Sequence, residues 1–356
     1  MEFIVSDALK ASASQAEEDY TIGNANIKVI GCGGGGNNSV DWLYKKGVTG
    51  AQVIAINTDK LHLDHREADH KILIGKEITR GLGAGGMPNK GLEAAKESVS
   101  QIREAIRGAD MVFVCAGLGG GTGSGAAPLV SQVAKETGAI VIGVVTMPFN
   151  IEKARIDKAE FALKQMRQFT DTVIVIDNNK LSTIAGNLPI QQAFAVANEL
   201  IATMIKGIVE IIAVPSLINL DYADVRTIMS SGGLSVIGIG ESDSEGKVEE
   251  AVHRALSNPL LEVKYDGAQG ALIHITGGPD MTLDEAERVG ELITGGLDDD
   301  ALVIWGARID PKFQGKIRVM TIVTGVQSPY VLGKYDAAKP SEKSVAFNRE
   351  LGIELL

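Results

Sequence analysis

The sequence predicts an α/β protein in three parts: a mostly parallel sheet domain, a long connecting helix, and a second α+β domain with a mixed sheet. Three observations predict it. Near-continuous aliphatic runs alternate with helix-like segments through the first half, the pattern of parallel strands covered on both faces. Glycine-rich turns follow two of those runs. A single helical pattern then runs over 190–213 between Pro189 and Pro215, about 36 Å as a helix.

The elements follow in order. Residues 27–30 form a strand that enters Gly31-Cys32-Gly33-Gly34-Gly35-Gly36, and a helix over 37–46 turns Val40 and Leu43 inward. Strand 52–56 ends at Asn57-Thr58-Asp59, and strand 71–74 leads into a glycine loop over 80–86. Residues 89–107 are helical in composition. Strand 111–116 runs into the glycine run 117–125, followed by a helix over 126–137. Strands 139–145 and 172–176 flank a helix over 153–169. The long helix is the spacer between two domains. Beyond it come strand 234–239, helix 246–257, strand 271–276, helix 282–293, and strands 301–308 and 316–325. The last two strands, parted by Asp310-Pro311 and a short turn, read as a hairpin. The boundaries are therefore 1–26 for an N-terminal extension, 27–189 for the first domain, and 190–214 for the helix. The second domain is 215–327, and 328–356 is a C-terminal tail.

Composition narrows the function classes. At 356 residues the chain exceeds what one core usually serves. It is 45% hydrophobic and only 4% aromatic, which describes an aliphatic-cored folded protein. A net charge of −11 argues against a nonspecific nucleic-acid or anionic-membrane binder. It leaves room for a phosphate ligand, because backbone N–H groups bind phosphate without cationic side chains. Cys32 and Cys115 are too few for a disulfide framework and read as small packed residues. The amino terminus lacks the basic start and apolar stretch of a secretory signal, and Lys206 and Glu210 interrupt the greasiest region. A cytoplasmic protein without a membrane span is the expectation.

The glycine turns carry the chemistry. Gly31, Gly33 and Gly36 satisfy G-x-G-x-x-G between a strand and a helix, with Asp59 further on. Alone, that loop fits a dinucleotide, another phosphate ligand, or a purely structural turn. The second run adds Thr122 and Ser124 to six glycines, again between strand and helix. It can present consecutive N–H donors and hydroxyls to phosphate oxygens at a positive helix end. No lysine follows it, so it is not a Walker-type loop. With the turn at 81–86 the three loops enclose several phosphates, more than one dinucleotide needs, and the first sheet domain becomes a nucleotide-binding domain.

On these residues the chain resembles the tubulin/FtsZ superfamily of polymerising GTPases, in its archaeal-type cell-division branch. The likeness runs in order through residues 27–326. It includes Gly31-Cys32-Gly33-Gly34-Gly35-Gly36-Asn37-Asn38, Asn57-Thr58-Asp59, Arg80-Gly81-Leu82-Gly83-Ala84-Gly85, Gly119-Gly120-Gly121-Thr122-Gly123-Ser124-Gly125, Pro148-Phe149-Asn150 and Asn219-Leu220-Asp221-Tyr222-Ala223-Asp224-Val225-Arg226. The resemblance implies GTP or GDP with Mg²⁺. It puts the α- and β-phosphates near Gly34, Gly35 and Asn38, and the remaining oxygens near Ala84, Gly85, Gly86, Gly120, Gly121, Thr122 and Gly123. Asn57 would position the first loop, and Thr146 would approach phosphate or sugar. Glu152 and Arg155 would form a ribose-side pair, and Phe194 would cover the base. Asn178 and Asn198 would read the base edge through amide oxygens. Three departures stand out: Ser124 replaces a common threonine, Gly86 stands where alanine is common, and Lys153 occupies the place of a common glycine, with the arginine one position early. Without the resemblance, Phe194 reads as core and Asn178 as a helix cap.

Asp221 and Asp224, three apart at a helix start, read by themselves as solvated acids favoured at that end. The resemblance makes them catalytic with Asn219, acting on the nucleotide of an adjacent subunit. Hydrolysis would then depend on head-to-tail assembly into filaments at a midcell division site. A nicotinamide-dependent oxidoreductase, on the first loop alone, is the alternative, as is a nucleotide-regulated filament protein that hydrolyses weakly. His62 and His65 fit no metal motif and fall in a solvated loop, while His274 reads as a hydrogen-bonded core residue. The tail Glu350-Leu351-Gly352-Ile353-Glu354-Leu355-Leu356 alternates acid and apolar side chains, which fits docking on a membrane-associated adaptor or simple terminal packing.

Overall fold

The computed structural model describes residues 25–214, 216–230, 235–257, 268–297 and 300–326. Six strands build the first sheet: β1 (Ile27–Cys32), β2 (Ala51–Asn57), β3 (His70–Leu73), β4 (Met111–Gly117), β5 (Ile140–Met147) and β6 (Thr172–Asp177). They pair in parallel in the order β3-β2-β1-β4-β5-β6. All six residues of β1 are buried, since helices cover both faces and nothing is left to alternate with solvent.

The connecting segments sharpen one expectation and correct another. Residues 89–107 form two helices, α4 (Pro88–Glu97) and α5 (Val99–Ile106), after α1 (Gly33–Lys46), α2 (Lys60–Asp64) and α3 (Lys76–Thr79). The break is at Ser98, whose hydroxyl accepts the Gly75 N–H at 3.1 Å while the Glu97 carboxylate takes the N–H groups of Glu77 and Ile78. The segment holding His62 is no open loop: Asp59 caps α2 by accepting the His62 N–H at 3.0 Å.

Helices α6 (Gly121–Glu136), α7 (Ala154–Arg167) and α8 (Asn178–Ala185) complete the first sheet's connections, and α9 (Ile190–Ala213) follows as the sequence predicts. It does more than space two units. Ile201, Met204, Ile205, Ile208 and Val209 are buried in one core that also takes in Val236, Ile237 and Ile322. At Gly207 an added Cβ would fall 2.0 Å from Met320 Cε, so helix backbone and second sheet touch.

The second sheet overturns the hairpin. After α10 (Tyr222–Ser230) come β7 (Ser235–Ser242), α11 (Lys247–Leu256), β8 (Gly270–Gly277), α12 (Leu283–Thr294), β9 (Leu302–Ile309) and β10 (Ile317–Thr324), and the sheet order is β7-β10-β8-β9. β9 pairs in parallel with β8, while β10 slots between β7 and β8, antiparallel to both. Burial accounts for the choice. Seven of the eight β10 residues are buried, suiting the sheet centre, whereas β9 carries exposed Leu302, Trp305 and Ile309 and suits an edge. A second core lies between this sheet and helices α11 and α12, built from Ala251, Ala255, Ile275, Val289 and Val319. His274 sits in β8 at 7% exposure, and its Nε2 finds no hydrogen-bond partner, contrary to the expected bonded core histidine. Burial, with Arg308 nearby, pulls its pKa down to about 4.

Candidate active site

Strand order reverses at β1 and β4, and in open parallel sheets ligands lie outside the strand ends at such a switch point. All three glycine turns meet there. Gly33 opens α1 at φ +71°, and a Cβ on it would fall 2.7 Å from the Gly123 nitrogen. One on Gly35 would fall 2.9 Å from Gly117 Cα. On Gly121 it would meet Ala84 Cβ at 2.8 Å, the Met87 nitrogen at 2.9 Å and the Gly86 nitrogen at 3.2 Å. The Gly83 N–H donates to the Thr58 carbonyl and the Lys60 N–H to the Gly81 carbonyl, tying the third turn to the end of β2. Gly34 and Gly35 are exposed at the mouth, between buried Gly33 and Gly36. Two helices of full length, α1 and α6, aim their positive ends at this space. Beside it, both amide atoms of Asn37 and the Oδ1 of Asn38 are buried without partners, an arrangement a ligand or water would complete.

The loop hydroxyls also brace the turns from within. Thr122 Oγ1 bonds Thr58 Oγ1 at 2.7 Å, and Ser124 Oγ accepts the Gly119 N–H at 2.8 Å. Both side chains are buried, beside the backbone amides of residues 120–123.

Around this floor stand the other candidate residues. The Thr146 carbonyl accepts the Leu118 N–H at 3.0 Å at the end of β5. The Glu152 carboxylate takes the Phe149 N–H at 2.9 Å and pairs with Arg155, whose Nε donates to the Gly119 carbonyl at 3.2 Å. The pair thus lies against the second glycine turn although its arginine is shifted. Lys153 between them adopts φ +38°, the left-handed region that favours glycine. Phe194 is 41% exposed and meets Phe149 edge-on at 6.1 Å, so it is not a core residue. Asp177, not Asn178, caps α8, accepting the Asn179 N–H at 2.8 Å and leaving Asn178 free of that duty. The Asn198 Oδ1 accepts from Ser39 at 3.2 Å and keeps a second lone pair, beside its amide N–H groups, for a ligand. Sequence reasoning missed Lys158, whose ammonium holds the Gly86 carbonyl at 2.8 Å, and His62, which stands beside Gly34. Neither lies in a recognisable motif.

The acidic residues lie elsewhere. Asp221 and Asp224 cap each other's N–H groups at 2.9 and 3.0 Å at the start of α10, and Asn219 is exposed just before them. The Tyr222 hydroxyl donates to the Asp110 carbonyl at 2.8 Å, which pins this loop to the beginning of β4. The glycine turns are at the other end of that seven-residue strand, about 20 Å away at the usual rise.

Residues 26–186 match the model of the Tubulin/FtsZ family GTPase domain, and residues 233–327 that of the FtsZ family C-terminal domain. Over 334 residues the chain is 57% identical to Cell division protein FtsZ 2 of Methanocaldococcus jannaschii, covering 93% of this chain and 88% of the relative. The chain belongs to the tubulin/FtsZ family. It is also 53% identical to Cell division protein FtsZ 2 of Halobacterium salinarum over 350 residues, 97% of this chain and 89% of that one. The fold superposes on an FtsZ dimer structure from M. jannaschii with a TM-score of 0.79 at 48% identity, covering 90% of this chain and 92% of the other. As an FtsZ-family protein the chain is a polymerising GTPase that binds GTP and GDP and assembles head to tail into filaments. The nicotinamide reading falls with this. The G-x-G-x-x-G turn is one of three convergent glycine turns and shares its strand order with dinucleotide-binding sheets, so its pattern alone could not tell the two apart. Among the described residues no helix is long and apolar enough to cross a membrane.

Proposed function

We propose that each subunit holds the triphosphate against its glycine turns and that hydrolysis is completed by Asn219, Asp221 and Asp224 of the next subunit. The separation of about 20 Å between the two groups within one chain carries this reading. The amides of Gly34, Gly35, Gly120, Gly121, Thr122 and Gly123 bind phosphate oxygens, with Ala84, Gly85 and Gly86 closing over the terminal group. Asn38, Asn57 and Thr146 support that floor. Arg155 and Glu152 flank the ribose, Phe194 covers the base, and Asn178 with Asn198 reads its edge.

The reciprocal cap uses one oxygen of each aspartate, so Asp221 Oδ2 and Asp224 Oδ1 are not consumed by it. These two oxygens orient and polarise the attacking water, and positioning outweighs basicity for a carboxylate near neutrality. The same oxygens suit Mg²⁺, which takes most of its ligands from phosphate and water and asks the protein for one or two carboxylates. When bound, the metal offsets charge on the departing phosphate. Because donor and acceptor faces differ, the contact is heterologous and propagates. Placement at a midcell division site and attachment to a membrane-associated adaptor extend this reading. The tail invoked for the adaptor lies outside the described residues.

Asp221→Asn and Asp224→Asn keep the helix cap, since asparagine caps as well as aspartate. Both variants should bind GTP normally while phosphate release drops by roughly 100-fold or more. Near-normal release by both would defeat the assignment.

A further inference from the structure

Asn57 and His62 meet at the mouth of the phosphate site, 3.3 Å apart between amide Nδ2 and imidazole Nδ1. The orientation of that amide is settled by its other end, where Oδ1 accepts the N–H groups of Thr58 at 2.9 Å and Asp59 at 3.3 Å. Nδ2 therefore donates to His62, Nδ1 must accept, and the ring proton sits on Nε2. That nitrogen lies alongside exposed Gly34, 3.7 Å from where a Cβ on the glycine would stand. Burial and the nearby Arg66 guanidinium, against Asp59 and Asp41, push its pKa below the ordinary histidine value.

We propose that His62 is a further phosphate-binding residue, its Nε2–H donating to the phosphate held at Gly34 with Asn57 fixing the tautomer. This rests on the nucleotide placement argued above and adds a side-chain donor to a floor otherwise built of backbone.

Calorimetry on the full chain tests it with GDP and, by competition, guanosine. His62→Phe keeps the ring but has no donor, and it should weaken GDP binding about tenfold, the worth of one charge-assisted bond, while leaving guanosine unchanged. His62→Gln, whose amide can place an N–H where Nε2 stood, should recover most of the affinity. Should the phenylalanine variant fail to fold, His62→Ala serves for the same comparison. GDP binding equal to that of the unaltered chain overturns the proposal. So does an equal loss for guanosine and GDP, or a glutamine variant as weak as phenylalanine. If the unaltered chain itself binds no GDP, the nucleotide placement falls instead.

Discussion

The two ends of the parallel sheet are built from different materials. At the carboxyl ends of the strands, the site is mostly backbone. Glycine turns crowd so closely that a single added methyl at residue 33, 35 or 121 would collide with a neighbouring turn. At the amino ends, the acidic loop is all side chain, with Asn219 and Asp221 exposed and Asp224 half-buried, held by its own reciprocal cap. A backbone site is intolerant of any added atom but needs no particular side-chain rotamer. A side-chain site tolerates its surroundings but, in the proposed division, must be carried to the substrate by another subunit.

The strongest way to break this contrast is to disable one end at a time and mix the products. Chains with Asp224→Asn and chains with Gly121→Ala should each lose turnover by roughly 100-fold or more. A mixture should regain release wherever an intact pocket meets an intact acidic loop. A mixture as inactive as its parts would place both functions in one subunit. By itself, Gly121→Ala should lower GTP affinity about tenfold, since overpacking of this kind costs about 1–3 kcal/mol. Titration with a fluorescent GTP analogue reads this directly, and unchanged affinity would show that the turns part without harm.

His274 offers a control far from both ends. Its neutral form is favoured in the fold, with a pKa near 4 against an ordinary 6.5, so the unfolded chain binds the extra proton between those values. Its contribution is intact above pH 6.5 and is lost as pH falls through that window, about 2 kcal/mol by pH 5. Urea unfolding at pH 8 and pH 5 should show this slope, and His274→Leu should flatten it. GDP affinity should be unaffected by the substitution. The smallest effect has the opposite sign. Lys153→Gly relieves the left-handed backbone beside Arg155 and should stabilise the chain by about 1 kcal/mol or less, seen as a rise in melting temperature. A fall would mean that the lysine side chain matters more than its backbone.

Much of this was legible beforehand, for local reasons. The strand entering the first glycine turn announces itself by four consecutive apolar or stem-buried residues followed by glycines. The long helix is bracketed by prolines that cannot continue it. The family likeness of the acidic segment was readable, but the distance of that segment from the glycine turns was not.

What the sequence determined by itself was the set of local requirements: apolar periods, backbone positions that only glycine fills easily, and chain stops. Tertiary structure alone decided which distant group satisfied which. Residues 302–309 and 317–324 are neighbours in the chain yet β8 lies between them, with the almost wholly buried strand inside the sheet and the partly exposed one at its edge. The helix over 89–107 breaks because Ser98 serves an N–H on Gly75, 23 residues back. Loop hydroxyls became braces, and His62 gained a fixed tautomer, through partners elsewhere in the chain. Every buried donor needs an acceptor, but the sequence does not say where along the chain that acceptor will be found.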